Sequence, residues 1–452
     1  MTTIDRSRLG ALLERERAEF VARNPHSHTA YKNAEHLFGR VPMTWMNKAA
    51  AGFPVYLAGA RGAWVTDIDG HEYVDLCLGD TAAMAGHSPR PTVQAVQRRF
   101  AELGGASAML PSEDAEWVGA ELTRRFGMAV WSFSLTATDA NRWVLRLVRA
   151  VTGRPKILVN SYCYHGSVDE SLIVVGPDGR SASREGNVGA PGPVTDTSRV
   201  AEFNDLNGLE RELANGDVAA VLMEPALTNI GIVLPEPGYL EGVRELTRRF
   251  GVLLINDETH TFSAGPGGCT LAWGLEPDLV TVGKAIAGGI PAGAYGMSAE
   301  LADRLQQRTD LDLIDMGGVG GTLAGNALSI AATRATLEHV LTDDAFARMT
   351  SRADRFTGGV QHVIDERELP WSIAQLGARA EYRFTSPAPR NGSESRAAAH
   401  QDLDDYVHVY LANRGILLTP FHNMALMCPE TTDADVDLHH QVFAAAVDDL
   451  IG

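Results

Sequence analysis

Two reactive side chains follow apolar stretches of this 452-residue sequence in a way that predicts a catalytic site. Lys284 comes after an apolar run and is the second residue of the glycine-rich turn Gly-Lys-Ala-Ile-Ala-Gly-Gly. Asp257 ends a similar apolar run. A lysine amine can form an imine with a carbonyl group, and a carboxylate can keep a ring nitrogen charged. Pyridoxal phosphate chemistry requires these two groups of a protein.

Other polar side chains follow apolar runs in the same manner. Glu224 and the pair Tyr164-His165 each come shortly after a short apolar stretch. In open α/β sheets, ligands bind at the carboxyl ends of the strands, so Glu224, Asp257 and Lys284 at three such ends indicate a site. An aromatic ring at the position of Tyr164 suits either stacking on a heteroaromatic ring or simple packing.

The turn formed by Thr136, Ala137 and Thr138 lies between a predicted strand and a predicted helix. Free N–H groups at a helix N-terminus, together with hydroxyl groups, can bind a phosphate. A threonine that only caps the helix would have the same sequence pattern. His260 and Cys269 have no second histidine or cysteine at ligand spacing, so no metal site is expected.

From about residue 110 the sequence alternates between short apolar runs and longer helical stretches. This pattern predicts an α/β fold with a mostly parallel sheet covered by helices on both faces. Strands are predicted at 130–134, 156–160, 218–223, 252–255 and 279–282, and helices at 138–151, 206–214, 239–250 and 299–308.

The remaining segments predict a second, smaller domain. Residues 1–90, with a helix and a β-hairpin, and residues 336–452 are expected to form a small α+β domain, and residues 91–335 a large cofactor-binding domain. Stretches 176–197 and 392–396 are rich in small polar residues and are expected to be surface loops.

The charge and composition of the chain argue against several kinds of binding partner. A formal charge of −18 argues against binding to nucleic acid or to an anionic membrane. No apolar run reaches the roughly 18 residues of a membrane span, and the charged N-terminal stretch does not resemble a signal peptide. Four scattered cysteines suit a reducing compartment, so a cytoplasmic protein is expected.

Seven motifs, taken in their order and spacing, resemble the class III aminotransferases of pyridoxal phosphate fold type I. The similarity is to the branch with glutamate-1-semialdehyde aminomutase and related amine and β-amino acid transaminases. It runs from about Gly62 to the C-terminus. The motifs are residues 67–75, 85–89, 164–166, 224–225, 257–258, 282–289 and 320–326.

The resemblance implies a role for each matched residue. Lys284 would bind the cofactor covalently, Asp257 would pair with its pyridinium nitrogen, Tyr164 would stack on its ring, and Glu224 would lie near its phenolic edge. Thr259 replaces the valine that usually packs on the ring. The residues expected to bind the cofactor, pyridoxal 5'-phosphate, are Thr136, Ala137, Thr138, Tyr164, His165, Glu224, Asp257, Thr259, Lys284 and Thr322.

The same resemblance implies an assembly. Thr322 would reach the phosphate bound in a neighbouring subunit, so the site would need a homodimer. The phosphate loop, which in the family usually reads Ser-Gly-Thr-Glu-Ala, reads Thr-Ala-Thr-Asp-Ala at residues 136–140.

The activity expected first is a ping-pong aminotransferase that passes an amino group from an amine or amino acid to an oxo acid such as pyruvate, as an (S)-selective amine transaminase. The alternative is an isomerase of the glutamate-1-semialdehyde 2,1-aminomutase type. A third hypothesis is a scaffolding protein that has kept the cofactor fold. Arg40 is expected either to bind a substrate carboxylate or to be a surface arginine, and Trp45, Phe421 and His422 are expected to line the substrate pocket.

Overall fold

The computed structural model describes residues 4–308 and 318–452, which form two compact units. The small unit comprises Met1–Pro89, Asp344–Ala388 and Ala398–Gly452, and the large unit comprises Arg90–Asp343 and Pro389–Ala397. The helix Ala327–His339 contacts the helix Arg90–Gln97, so the chain remains in the large unit beyond residue 335.

A seven-stranded sheet forms the centre of the large unit, and its mostly parallel arrangement confirms the predicted α/β fold. Within the described residues, one strand, Gly293–Met297, runs antiparallel to both of its neighbours. In sheet order the strands are Val130–Ser134, Gly293–Met297, Leu279–Val282, Leu253–Asp257, Val218–Met223, Lys156–Asn160 and Ser198–Ala201.

The central strands are buried along their whole length because helices cover the sheet. Ile173–Val175 and Ser181–Ser183 form a separate short hairpin. The longer helices of the large unit are Arg90–Gln97, Glu113–Phe126, Ala137–Thr152, Leu206–Leu213, Tyr239–Phe250, Ala299–Gln306 and Ala327–His339, and the short ones are Gly268–Ala272 and Gly392–Ala397.

One loop prediction was wrong and another was wrong in part. The expected loop 392–396 is helical, because tertiary packing outweighs its polar composition: Ser395 is buried and its hydroxyl donates to the carbonyl of Ile230. The expected loop 176–197 contains the strand Ser181–Ser183, which pairs with an upstream apolar segment.

Among its described residues, the small unit contains two sheets and five longer helices. One sheet is formed by Leu57–Arg61, Trp64–Asp67, Glu72–Asp75 and Ile416–Leu417, and the other by Ser372–Leu376, Arg379–Arg383 and Met424–Leu426. The helices are Arg6–Arg23, Pro25–Lys32, Asp343–Glu366, Gln401–Asn413 and Asp433–Ile451. Across the described residues, none of the helices has the length and apolar character needed to span a membrane.

Candidate active site

One edge of the large-unit sheet collects the reactive side chains that follow parallel strands. Asp257 is the last residue of its strand, and Glu224 comes directly after the adjacent strand. Lys284 lies two residues beyond the strand on the other side of Asp257. Since these strands are parallel, their carboxyl ends lie at the same edge, where ligands bind in α/β folds.

Asp257 is buried and its carboxylate accepts three hydrogen bonds. Oδ2 lies 2.9 Å from Nδ1 of His165 and accepts from the Asn141 amide at 2.9 Å. Oδ1 accepts from the backbone N–H of Thr259 at 3.0 Å. The hydroxyl of Thr281 donates to Asn141 at 2.7 Å and fixes the orientation of its amide. Asp257 is therefore held by its own backbone segment and by contacts from two distant parts of the chain.

The pKa of Asp257 reflects this environment. Burial would raise it, but the hydrogen bond and positive charge of His165, with further hydrogen bonds from Thr259 and Asn141, lower the pKa to about 2. Burial would lower the pKa of His165, but the Cys163 sulfur and the Asp257 carboxylate raise it well above the usual value. The two buried groups therefore form an ion pair at neutral pH.

Lys284 has a left-handed backbone conformation, with φ of 50°. A non-glycine residue in this region costs on the order of 1–3 kcal/mol, so such strain is usually found at functional sites. The residue begins a short 3-10 helix, Lys284–Ala287, whose next three residues are buried. Its Nζ lies 2.5 Å from Nε2 of His260. The packed turn thus directs a half-buried amine to a defined position.

The helix Ala137–Thr152 begins at the same edge, after the strand Val130–Ser134. The hydroxyl of Thr136 caps it, accepting from the backbone N–H of Asp139 at 3.1 Å and donating to the Asp139 carboxylate at 2.9 Å. Thr136 therefore acts as the helix N-cap, and Ala137 and Thr138 lie in the first turn, where N–H groups lack partners within the helix.

Three glycines let other segments approach this helix start closely. A Cβ at Gly283 would lie 2.9 Å from the backbone nitrogen of Ala137, and one at Gly293 would lie 2.7 Å from the carbonyl oxygen of Thr136. A Cβ at Gly166, which has φ of 80°, would overlap the Thr138 side chain. These three glycines and the first turn of the helix form what we call the phosphate cradle. Any larger residue at a glycine position would distort it.

Four other predicted residues lie in the large unit. Glu224 is buried and accepts a hydrogen bond from the hydroxyl of Thr228. Tyr164 is half-buried beside His165, and Thr259 is buried next to Asp257. Thr322 is exposed in the segment before the helix Ala327–His339.

The predicted substrate residues lie in the small unit, where three of them are neighbours. The rings of Trp45 and Phe421 are 5.9 Å apart in an edge-to-face arrangement, and those of Phe421 and His422 are 5.0 Å apart. Arg40 donates to the carbonyl of Lys32 at 2.9 Å and is exposed. A role in binding substrate stays a prediction for all four residues.

Comparison with known proteins identifies the family. The profile described as Aminotransferase class-III matches residues 45–447, which is most of the chain. The chain belongs to the class III aminotransferase family.

Similar proteins include both isomerases and transferases. A crystal structure named as a glutamate-1-semialdehyde-aminomutase from Pseudomonas aeruginosa PAO1, a lysine variant in complex with PMP, is 46% identical, with 99% of each chain covered and a TM-score of 0.96. A glutamate-1-semialdehyde 2,1-aminomutase of Desulfitobacterium hafniense is 32% identical over 86% of this chain and 90% of its own. An omega-transaminase from Sphaerobacter thermophilus is 30% identical, with 96% of this chain and 100% of its own covered and a TM-score of 0.86.

As a class III aminotransferase, the protein has fold type I and uses pyridoxal 5'-phosphate. The described residues fit this cofactor. The first turn of the helix Ala137–Thr152 offers N–H donors to a phosphate, and the three glycines pack so closely against this helix start that none could carry a Cβ without a clash. Asp257 Oδ1 accepts one hydrogen bond among the described residues, which leaves acceptor capacity for a ring N–H. Lys284 would provide the amine.

Several contacts in this class III site were not predicted. His165 lies 92 positions before Asp257 in the sequence, and Asn141 lies 116 positions before it. Only the order of the strands in the sheet brings these side chains into contact. His260 was considered only as a metal ligand, yet it contacts Lys284. The only indication of this contact in the sequence was that His260 lies three residues after Asp257.

Proposed function

We propose that this class III enzyme isomerises an amino-carbonyl compound, shifting an amino group to a neighbouring carbon without consuming a second substrate. Support comes from the relatives, since the Pseudomonas aeruginosa protein that matches 99% of the chain and the Desulfitobacterium hafniense protein both have aminomutase names. These names fit isomerisation better than the transfer between two molecules that the sequence analysis placed first.

The amino-transfer chemistry itself rests on one observation, the placement of Asp257 and Lys284 at the ends of adjacent parallel strands. Asp257 pairs with Thr281 in the register of these strands, so Lys284 follows only three residues after that pair. An anion and an amine held side by side on a rigid sheet edge supply the two protein groups that this chemistry needs.

When bound, pyridoxal phosphate supplies an electron sink that stabilises negative charge on a substrate carbon. The first-turn N–H groups of the helix Ala137–Thr152 would bind the phosphate. Asp257, with its lowered pKa, would hold positive charge at the ring nitrogen. Nζ of Lys284 would take a proton from the substrate carbon and deliver it to another atom.

The deciding experiment uses glutamate-1-semialdehyde as the only substrate, with the holoenzyme and no oxo acid. Isomerisation predicts formation of the isomeric amino ketone at a rate that added pyruvate does not increase. Strict dependence on pyruvate would contradict isomerisation. The Lys284→Ala variant provides the control, because it removes the proposed base while leaving Asp257 and the phosphate cradle in place.

A second candidate is transfer of an amino group between two molecules, as in an (S)-selective amine transaminase. The Sphaerobacter thermophilus omega-transaminase favours it, since its whole length aligns with this chain at 30% identity. The aromatic pair Trp45 and Phe421 would suit an arylalkyl amine. A screen of chiral arylalkyl amines with pyruvate, scored for alanine formed and for the enantiomer consumed, tests this candidate. Turnover with amines and none with the amino aldehyde would establish transfer.

A further inference from the structure

A chain of four side chains extends from Lys284 into the interior of the large unit. Nζ of Lys284 lies 2.5 Å from Nε2 of His260, and Nδ1 of His260 lies 2.7 Å from the hydroxyl oxygen of Thr228. The Thr228 hydroxyl in turn contacts Oε2 of Glu224. Both nitrogens of one imidazole are therefore used, one toward the amine and one toward a hydroxyl and a carboxylate.

The chemistry of the groups determines the donor at each link. The Thr228 O–H donates to Oε2 of Glu224. The Thr228 oxygen then accepts from Nδ1–H of His260, which leaves a lone pair on Nε2. That lone pair faces Lys284 and accepts an N–H of its side chain. Every hydrogen bond in the chain points from the lysine toward the carboxylate.

The segment that carries His260 is firmly anchored. Its neighbour Glu258 is buried, and the carboxylate accepts from the backbone N–H groups of Cys269 at 3.0 Å and Thr270 at 2.6 Å. The hydroxyl groups of Thr261 and Thr270 donate to the same carboxylate at 2.5 and 2.6 Å. Such support holds a side chain in one geometry, as proton transfer requires.

We propose that His260 is a positioning residue that relays a proton between Lys284 and Glu224 through Thr228. In the forward direction, an N–H bond of Lys284 breaks as one forms at Nε2 of His260. The Nδ1–H proton moves to Thr228, and the Thr228 hydroxyl proton moves to Glu224. The ammonium and the carboxylate become a neutral amine and a carboxylic acid, so protons and charge balance. The relay generates the free amine that Lys284 needs.

This inference rests on the proposed use of Lys284 as the proton-transferring amine. The relay gives Lys284 a route for losing its proton that a purely structural histidine would not provide. It also gives a specific function to Glu224 and to the buried hydroxyl of Thr228, which lies four residues beyond Glu224 along the chain.

Paired variants of Thr228 test the relay without altering His260 or Lys284. Thr228→Val removes the hydroxyl at nearly constant volume and breaks the chain, whereas Thr228→Ser keeps the hydroxyl. Thr247→Val is the matched control, because Thr247 is also fully buried and its hydroxyl donates to the Arg244 carbonyl at 2.9 Å. In a further variant, His260→Gln, the glutamine side chain can accept a hydrogen bond from Lys284 but cannot pass a proton from one ring nitrogen to another.

The first measurement is the rate at which the cofactor-free chain develops a visible absorbance band after pyridoxal phosphate is added. Only a neutral amine adds to a carbonyl, so Thr228→Val and His260→Gln should slow this rate at least about tenfold. Thr228→Ser and Thr247→Val should remain within about twofold of the wild type. Equal rates for Thr228→Val and Thr247→Val would overturn the relay.

The second measurement uses the holoenzyme. Thr228→Val should lower kcat with little change in KM, and the solvent deuterium isotope effect on kcat should lose its curved dependence on deuterium content, because several protons no longer move together. An unchanged isotope dependence would overturn the relay. Full turnover in Lys284→Ala would overturn the proposed function. An inactive Lys284→Ala together with an unchanged isotope dependence in Thr228→Val would overturn the relay alone.

Discussion

Nδ1 of His165 lies 2.9 Å from Oδ2 of Asp257, and both side chains are buried. The negative charge expected to hold the ring nitrogen is thus already balanced by a protein cation. A buried carboxylate without a partner would be strongly penalised and would take up a proton. The histidine lets Asp257 stay ionised in the interior, while Asn141 and Thr259 fix the direction of its oxygens.

The lowered pKa of Asp257 predicts acid sensitivity of the cofactor-free protein. The folded state has a pKa of about 2 against an ordinary 3.8, so it binds fewer protons than the unfolded state between these values. This stabilisation is present above about pH 4 and is lost as the pH falls toward 2, with about 1 kcal/mol lost by pH 3.

Urea midpoints at pH 5.5 and pH 3 for the wild type and Asp257→Asn measure this contribution. The variant should lose less stability on acidification than the wild type. Asp178→Asn is the control, because Asp178 is exposed and should leave the wild-type pH dependence intact. Equal pH dependence in Asp257→Asn and the wild type would contradict the ion pair.

Gly166→Ala should weaken cofactor binding. The new Cβ would overlap Thr138, and the positive φ of 80° disfavours alanine at this position. Gly179→Ala is a matched control, since Gly179 has φ of 75° and open space around its Cβ position. Titration with pyridoxal phosphate should show a dissociation constant at least about tenfold higher for Gly166→Ala alone. Similar affinities for the two variants would argue against the cradle.

The βα alternation was predictable because buried parallel strands read as short apolar runs, as in Val218–Met223 and Leu279–Val282. The strand-end positions of Asp257 and Lys284 followed from the same pattern. The strand Gly293–Met297 was not predicted, because two glycines among its five residues hide the β signal, and Gly296 is required where Trp131 packs closely.

Side-chain partnerships were the least predictable part. His260 contacts Thr228, 32 residues away, and this pairing depends on the order of strands in the sheet and on how the loops between them close. Glu258, two residues before His260, accepts four hydrogen bonds from Thr261, Cys269 and Thr270. Local sequence patterns do not encode such contacts.

Arg40→Ala tests whether this arginine binds a substrate carboxylate. Loss of a charge-assisted pair should raise KM for the amino aldehyde or an oxo acid about 10–100-fold, and leave KM for an uncharged amine nearly unchanged. Arg8→Ala is the control, because Arg8 is also exposed and donates to a backbone carbonyl, that of Asp449. Equal changes for charged and uncharged substrates would indicate a structural arginine.

We propose that two copies of the chain share their sites through Thr322. This residue is exposed in the single chain. Mixing Lys284→Ala and Thr322→Ala protomers should produce heterodimers in which one site carries both changes and the other carries neither. Activity should then exceed that of either parent. A monomer by light scattering, or no recovery after verified subunit exchange, would refute the shared site.

The identity of the cofactor-binding amine is the central claim, and borohydride reduction of the holoenzyme followed by peptide mapping tests it most directly. Reduction fixes the cofactor to the lysine that holds it. The structure predicts that the adduct lies on Lys284, in the peptide that follows the strand Leu279–Val282, and that Lys284→Ala forms no adduct. An adduct on any other lysine, or an undiminished adduct in Lys284→Ala, would contradict this account.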